Sequence, residues 1–197
     1  MYLKICRSLF CLMVIGLLQQ WLLFIFFFRY VYMKEAQKIL EDLYRQQLKQ
    51  LIVTEKKHLK CLAKLASAAG TDELKSAISK DSMDIEQNLE RLTQCKSWIK
   101  GKSSIKANAK NSLATLIGNY PKKMKSSIFY DIRILKYIQD CFMLKIVTYQ
   151  NLQLMASALQ LEHAITLLEQ CVKDNQNSYS YLVQISANII YPEALAN

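Results

Sequence analysis

Apolar residues are distributed along this chain in two ways. Between Ser8 and Phe28 they form one continuous run without an ionisable side chain; beyond Arg29 they recur every three or four residues among polar ones. The run has membrane dimensions, since about 20 helical residues at about 1.5 Å of rise cross about 30 Å of hydrocarbon. Lys4 and Arg7 precede it, and Phe28-Arg29-Tyr30-Val31-Tyr32 follows, a junction without the small residues of a signal-peptide cleavage site. The sequence therefore predicts a basic tail over 1–7 and a retained single-pass transmembrane anchor (a signal-anchor) over 8–28. A short positive tail ahead of a first span places the N-terminus in the cytoplasm and the body on the outer (periplasmic, lumenal or extracellular) side. Gln19 and Gln20 fall in mid-span, where their amides suit a contact with another membrane helix.

The three- and four-residue steps predict a helical bundle domain over 29–191, with a C-terminal tail at 192–197. Leu40, Leu43, Tyr44, Leu48, Leu51, Leu59, Leu62 and Ala66 mark a stripe on a first helix over 29–69, continuous with the anchor. Gly70 suits a left-handed residue past its end, and Thr71, Asp72 and Glu73 suit the start of a second helix over 72–100. There Ile78, Ile85, Leu92 and Ile99 repeat every seven residues. Asp81 and Asn88 hold the companion seam, so a face packed inside a bundle fits better than a clean coiled coil. A short helix over 104–117 precedes the turn signal Gly118-Asn119-Tyr120-Pro121. The run 126–173 lacks Gly and Pro, and its length points to a bend or break near 148–158. Asp174-Asn175-Gln176-Asn177-Ser178 reads as a polar loop before a last helix over 178–190, stopped by Pro192. The expected fold is all-α: an N-terminal transmembrane helix continuing into a long helix that packs in an antiparallel bundle of four to five helices. Composition agrees, because four Gly and two Pro cannot supply the turns of an all-β chain of 197 residues.

Charge adds a feature that periodicity does not show. The net charge is +10, and residues 96–125 hold eight Lys and no acid, whereas 126–197 hold four basic and six acidic residues. Lys96, Trp98, Lys100, Lys102, Lys106, Lys110, Lys122, Lys123 and Lys125 form a candidate contact surface for an acidic protein partner or anionic lipid. The stretch has no Arg, so it lacks the bidentate fork that reads phosphate and bases, and nucleic acid suits it less. A solvated connection kept soluble by its charge is the plainer alternative.

Six cysteines are present. Cys6 and Cys11 lie in or beside the anchor. Cys61, Cys95, Cys141 and Cys171 fall in different expected helices or helix ends, which permits two disulfides or four buried thiols. No CxxC or Cys/His cluster occurs, and His58-x-x-Cys61 alone lacks the further ligands of a zinc site. There is no Gly-rich phosphate loop and no Ser/His/Asp spacing that suggests a nucleophile, so neither a cofactor, a metal nor enzymatic activity is expected. Functionally the sequence points to a membrane-anchored, non-enzymatic bundle acting through protein contacts, as in assembly, exclusion or secretion-system components, with homo-oligomerisation open. One alternative is a ligand-sensing bundle that signals through a partner. The other is a lipid or nucleic-acid binder using the Lys stretch.

Overall fold

Helices form wherever the apolar steps run unbroken, and they stop where backbone groups find other partners. A computed structural model describes residues 2–99, 101, 112–122 and 127–196, with side chains at Arg29 and from Tyr32 onward. It contains α1 (Tyr2–Ala66), α2 (Asp72–Ser97), α3 (Ser112–Gly118), α4 (Ile128–Ala158), α5 (Glu162–Ile185) and α6 (Tyr191–Ala196), with a π-helical turn at Ser186–Ile190 before α6. No strand occurs among the described residues. The chain divides into one unit of Met1–Leu40 and a second of Glu41–Asn197. The second unit is an all-helical bundle in which α2 and α4 pack against α5, and α3 and α6 pack against α4.

The core is built from four seams with alternating four- and three-residue steps, the spacing by which helices interlock at a shallow angle. On α1 the seam is Tyr44, Leu48, Leu51, Glu55, His58, Leu62 and Leu65, all buried. On α2 it is Leu74, Ile78, Asp81, Ile85, Asn88, Leu92 and Cys95. On α4 it is Leu135, Ile138, Phe142, Lys145, Tyr149, Leu152 and Ala156. On α5 it is Ala164, Leu168, Cys171, Asn175, Ser178, Leu182 and Ile185. Each seam is apolar at its ends and polar in its middle.

The α1–α2 turn is closed by a residue 60 positions away. Asp131, fully buried in the first turn of α4, accepts hydrogen bonds from Gly70 N–H at 2.7 Å and Thr71 N–H at 2.8 Å. Gly70 is not left-handed, unlike Gly101 with φ 114°, and the Thr71 side chain makes no cap bond. Asp131→Ala should therefore lower stability by about 2–3 kcal/mol in urea unfolding, because two charge-assisted bonds vanish together. A loss below about 0.5 kcal/mol, the usual limit for a surface change, would show that the turn holds without it.

One boundary falls beside the break expected near 148–158, and two differ from the sequence expectation. The run 126–173 breaks at Leu159–Leu161, where Gln160 takes φ 57°. Leu161 N–H donates to Ala156 O and Gln160 N–H to Ser157 O, the paired bonds that satisfy a helix end around a left-handed residue. The polar run 174–178 is helical, not a loop, and its Asn175 and Ser178 are buried on the α5 seam. Helix also continues past Pro192, which lies just past the π-helical turn Ser186–Ile190.

The membrane expectation is corrected. Among the described residues no helix is long and apolar enough to cross a membrane. From Arg29 onward α1 carries Lys34, Glu35, Lys38, Glu41 and Asp42, a density of charge that a hydrocarbon layer does not admit. The single-pass anchored function, the signal-anchor and the location on the outer side of a membrane are withdrawn with it. The side chains of 8–28, including Gln19 and Gln20, lie outside the described residues.

Candidate functional site

The polar middles of the four seams meet in one buried layer. Glu55 and His58, three apart on α1, are both closed to solvent, as is Lys145 of α4. Lys145 Nζ lies 3.1 Å from Glu55 Oε2, and the Tyr149 hydroxyl donates to Glu55 Oε1 at 3.0 Å. The ammonium and carboxylate meet as charges without hydrogen-bond alignment, leaving Lys145 Nζ and Glu55 Oε2 without a directed bond. His58 Nδ1 stands 3.9 Å from the same carboxylate oxygen, and neither of its ring nitrogens has a hydrogen-bond partner. Burial, helped by the nearby Lys145 charge, pushes the imidazole well below its ordinary range, so it is neutral.

α2 and α5 complete the layer. Asp81 is 2% exposed, and burial pushes its carboxyl up to about 7, against the opposing pull of the Ser178 hydroxyl and Lys145. Ser178 Oγ donates to Asp84 at 3.2 Å, and Asn175 Nδ2 to Cys171 O at 2.6 Å. One turn away, the Arg91 guanidinium joins Asn88 and Asp174. Asp81 Oδ2 and Asn175 Oδ1 have no partner.

The centre of this layer can hold protons and charge, but Glu55, His58, Lys145 and Asp81 present almost no surface to a substrate. Nor does its donor set suit a metal: among the described residues no three His, Cys, Asp or Glu side chains converge to hold one. Sequence reasoning missed the layer. The signal was the step from Leu51 to Leu62, which passes through Glu55 and His58, and the lone Lys145 on an otherwise apolar seam.

The residues singled out from sequence lie elsewhere. Lys96, Trp98 and Lys122 are exposed, and Trp98 packs its ring 5.6 Å from that of His163. Lys100, Lys102, Lys106, Lys110, Lys123 and Lys125 lie outside the described residues. Cys61, Cys95, Cys141 and Cys171 are free and buried, not disulfide-bonded. Burial pushes the Cys95 thiol up to about 11 and those of Cys141 and Cys171 up to about 12, which keeps them protonated and inert. Cys61 Sγ lies 3.4 Å from the Tyr137 hydroxyl, which also donates to Ile117 O at 3.5 Å.

A surface concavity lies where α1 ends. Lys64, Ser67, Tyr120, Pro121, Lys122 and Tyr130 line an open groove of about 300 Å³, with Leu65 and Ala68 at its base. Lys64 Nζ sits 5.5 Å from the centre of the Tyr120 ring, and the Tyr130 hydroxyl donates to Pro121 O at 3.2 Å. A second concavity, lined by Asp72, Glu73, Asp131 and Glu193 among others, is acidic.

The architecture is shared with known structures. The Escherichia coli stress protein YciF superposes with a TM-score of 0.66 at 21% identity, over 76% of this chain and 95% of that one. YcfI from Rhodopseudomonas palustris gives 0.63 at 19% identity, over 73% of this chain and 92% of that one. A Xanthomonas campestris protein gives 0.58 at 15% identity, over 78% and 95%. At such identities the likeness is one of fold. No curated protein sequence matches the chain. The family model described as "Domain of unknown function (DUF892)" matches residues 39–195, the whole of the described bundle, and the chain belongs to that family.

Proposed function

We infer that this protein is a non-enzymatic helical scaffold that works by contact, with an acidic protein partner docking at its basic end. The groove between the end of α1 and the α3–α4 connection carries the reading. It places Lys64 and Lys122 beside Tyr120 and Tyr130, so two ammonium groups flank aromatic surface. Lys56, Lys57 and Lys60 lie exposed on the preceding turns of α1 with no acid among residues 56–66. Such a surface attracts carboxylates, and its rings supply contact area of low entropic cost. The closed core supports the non-enzymatic part: the densest set of ionisable groups, at Glu55, His58 and Lys145, is shut from solvent.

The test uses polyglutamate as the acidic probe, followed by fluorescence anisotropy. Binding should weaken about tenfold in Lys64→Glu/Lys122→Glu, roughly 1.4 kcal/mol, with the helical circular dichroism unchanged. The wild-type interaction should also fade between 0.05 and about 0.3 M salt, as screening shortens the reach of exposed charges. Equal affinity in the reversed protein would move the contact elsewhere. Tighter binding of single-stranded DNA than of polyglutamate would favour nucleic acid instead.

A further inference from the structure

Helical bundles that hold two metal ions in their core use a fixed ligand plan. Two helices each supply one inward Glu, and two others each supply Glu-x-x-His. The middles of the four seams in this chain carry polar residues as that plan requires and depart from it in chemistry. α1 carries Glu55-x-x-His58, both closed to solvent. α5 carries Asn175 and Ser178 at the same three-residue spacing, also buried, where the plan needs a carboxylate and an imidazole. α2 supplies the single carboxylate, Asp81. α4 supplies Lys145, whose ammonium lies 3.1 Å from Glu55 Oε2.

We propose that the Lys145 ammonium is a built-in substitute for a metal ion: it holds the inward Glu55 carboxylate that a bound cation would otherwise hold, and so makes this bundle metal-free. Three observations converge. A protonated amine has no lone pair to give a metal, and it places a positive charge on the spot a cation would need. Asn175 and Ser178 on α5 offer neither an anionic ligand nor an imidazole, so the donors present balance one charge and not the several of a metal pair. The remaining donors are unspent, since His58 has both ring nitrogens unpartnered and Asp81 has an unpartnered Oδ2. The inference concerns the core and is independent of the groove at the end of α1.

The experiment titrates the full chain with Co2+, whose visible absorption reports coordination, and follows thermal unfolding in parallel. The wild type should show no ligand-field bands and no change in its midpoint. Lys145→Glu should have a low midpoint in chelator, from added buried negative charge, and Co2+ should raise it with about one ion per chain, as a ligand selective for the native state must. Lys145→Ser, which removes the ammonium without adding a carboxylate ligand, serves as the second variant and should show a smaller rise. Adding His58→Gln to either should abolish the response. Stoichiometric Co2+ in the wild type with a raised midpoint would overturn the proposal. So would the absence of a rise in both variants, or a rise that survives His58→Gln.

Discussion

Lys145→Met should destabilise this protein by about 3–5 kcal/mol, the cost of breaking a buried ion pair from one side. Methionine keeps much of the volume, so the loss is electrostatic and not a packing defect. It leaves Glu55 closed to solvent with its charge uncompensated, holding only the Tyr149 hydroxyl on Oε1. The double variant Glu55→Gln/Lys145→Met should recover most of that loss, since a neutral pair of similar shape needs no desolvation of charge, and the Gln carbonyl can still accept from Tyr149. Urea unfolding of the wild type, both single variants and the double variant closes a thermodynamic cycle. A coupling below about 1 kcal/mol would show that the pair is as weak as an exposed one, contrary to its burial.

As pH falls below about 6.5, the contributions of His58 and Asp81 to the pH dependence of unfolding should oppose each other. His58 is held well below its ordinary range by burial, so its contribution is present above the unfolded value of 6.5 and is lost as pH falls. Asp81 is raised by burial from 3.8 to about 7, so its contribution is full below 3.8 and is lost as pH rises toward 7. Just below pH 6.5 the unfolded chain takes up a proton on His58 that the folded chain does not, while the folded chain holds one on Asp81 that the unfolded chain does not. Between these two groups folding then moves a proton without net uptake, and their slopes cancel. Single substitutions should expose each slope. Asp81→Asn leaves His58 alone, and stability should fall on acidification by up to about 1.4 kcal/mol per pH unit. His58→Gln leaves Asp81 alone, and stability should rise on acidification by a similar amount. Parallel slopes in the two variants would show that the two groups do not oppose each other.

The periodic pattern alone determined that this chain is helical and where most helices lie. Poverty in Gly and Pro excludes a turn-rich fold, and the seven-residue spacing of Ile78, Ile85 and Leu92 identifies a buried seam on α2. Such features are local: they depend on which residues are three, four or seven apart, and a helix repeats that relation along its length. Tertiary structure decided whatever depends on residues far apart. The meaning of Glu55 is given by Tyr149, 94 positions on, and by Lys145 beside it. Read alone, Glu55 and His58 interrupt an apolar stripe; facing Lys145 they become one ionic layer. The run Asp174–Ser178 looks like a loop by composition, yet Asn175 and Ser178 turn inward onto a polar layer made by the other three helices, and the helix holds. The turn at 70–71 is satisfied by Asp131 and not by its own residues, and the break at Gln160 is made by backbone bonds without the glycine that would announce it. The apolar run at 8–28 set the expectation of a membrane protein, while the described bundle closes its apolar seams on one another. The seams of α1, α2, α4 and α5 draw on one hydrophobic preference, and the placement of partners within the bundle decides which faces close.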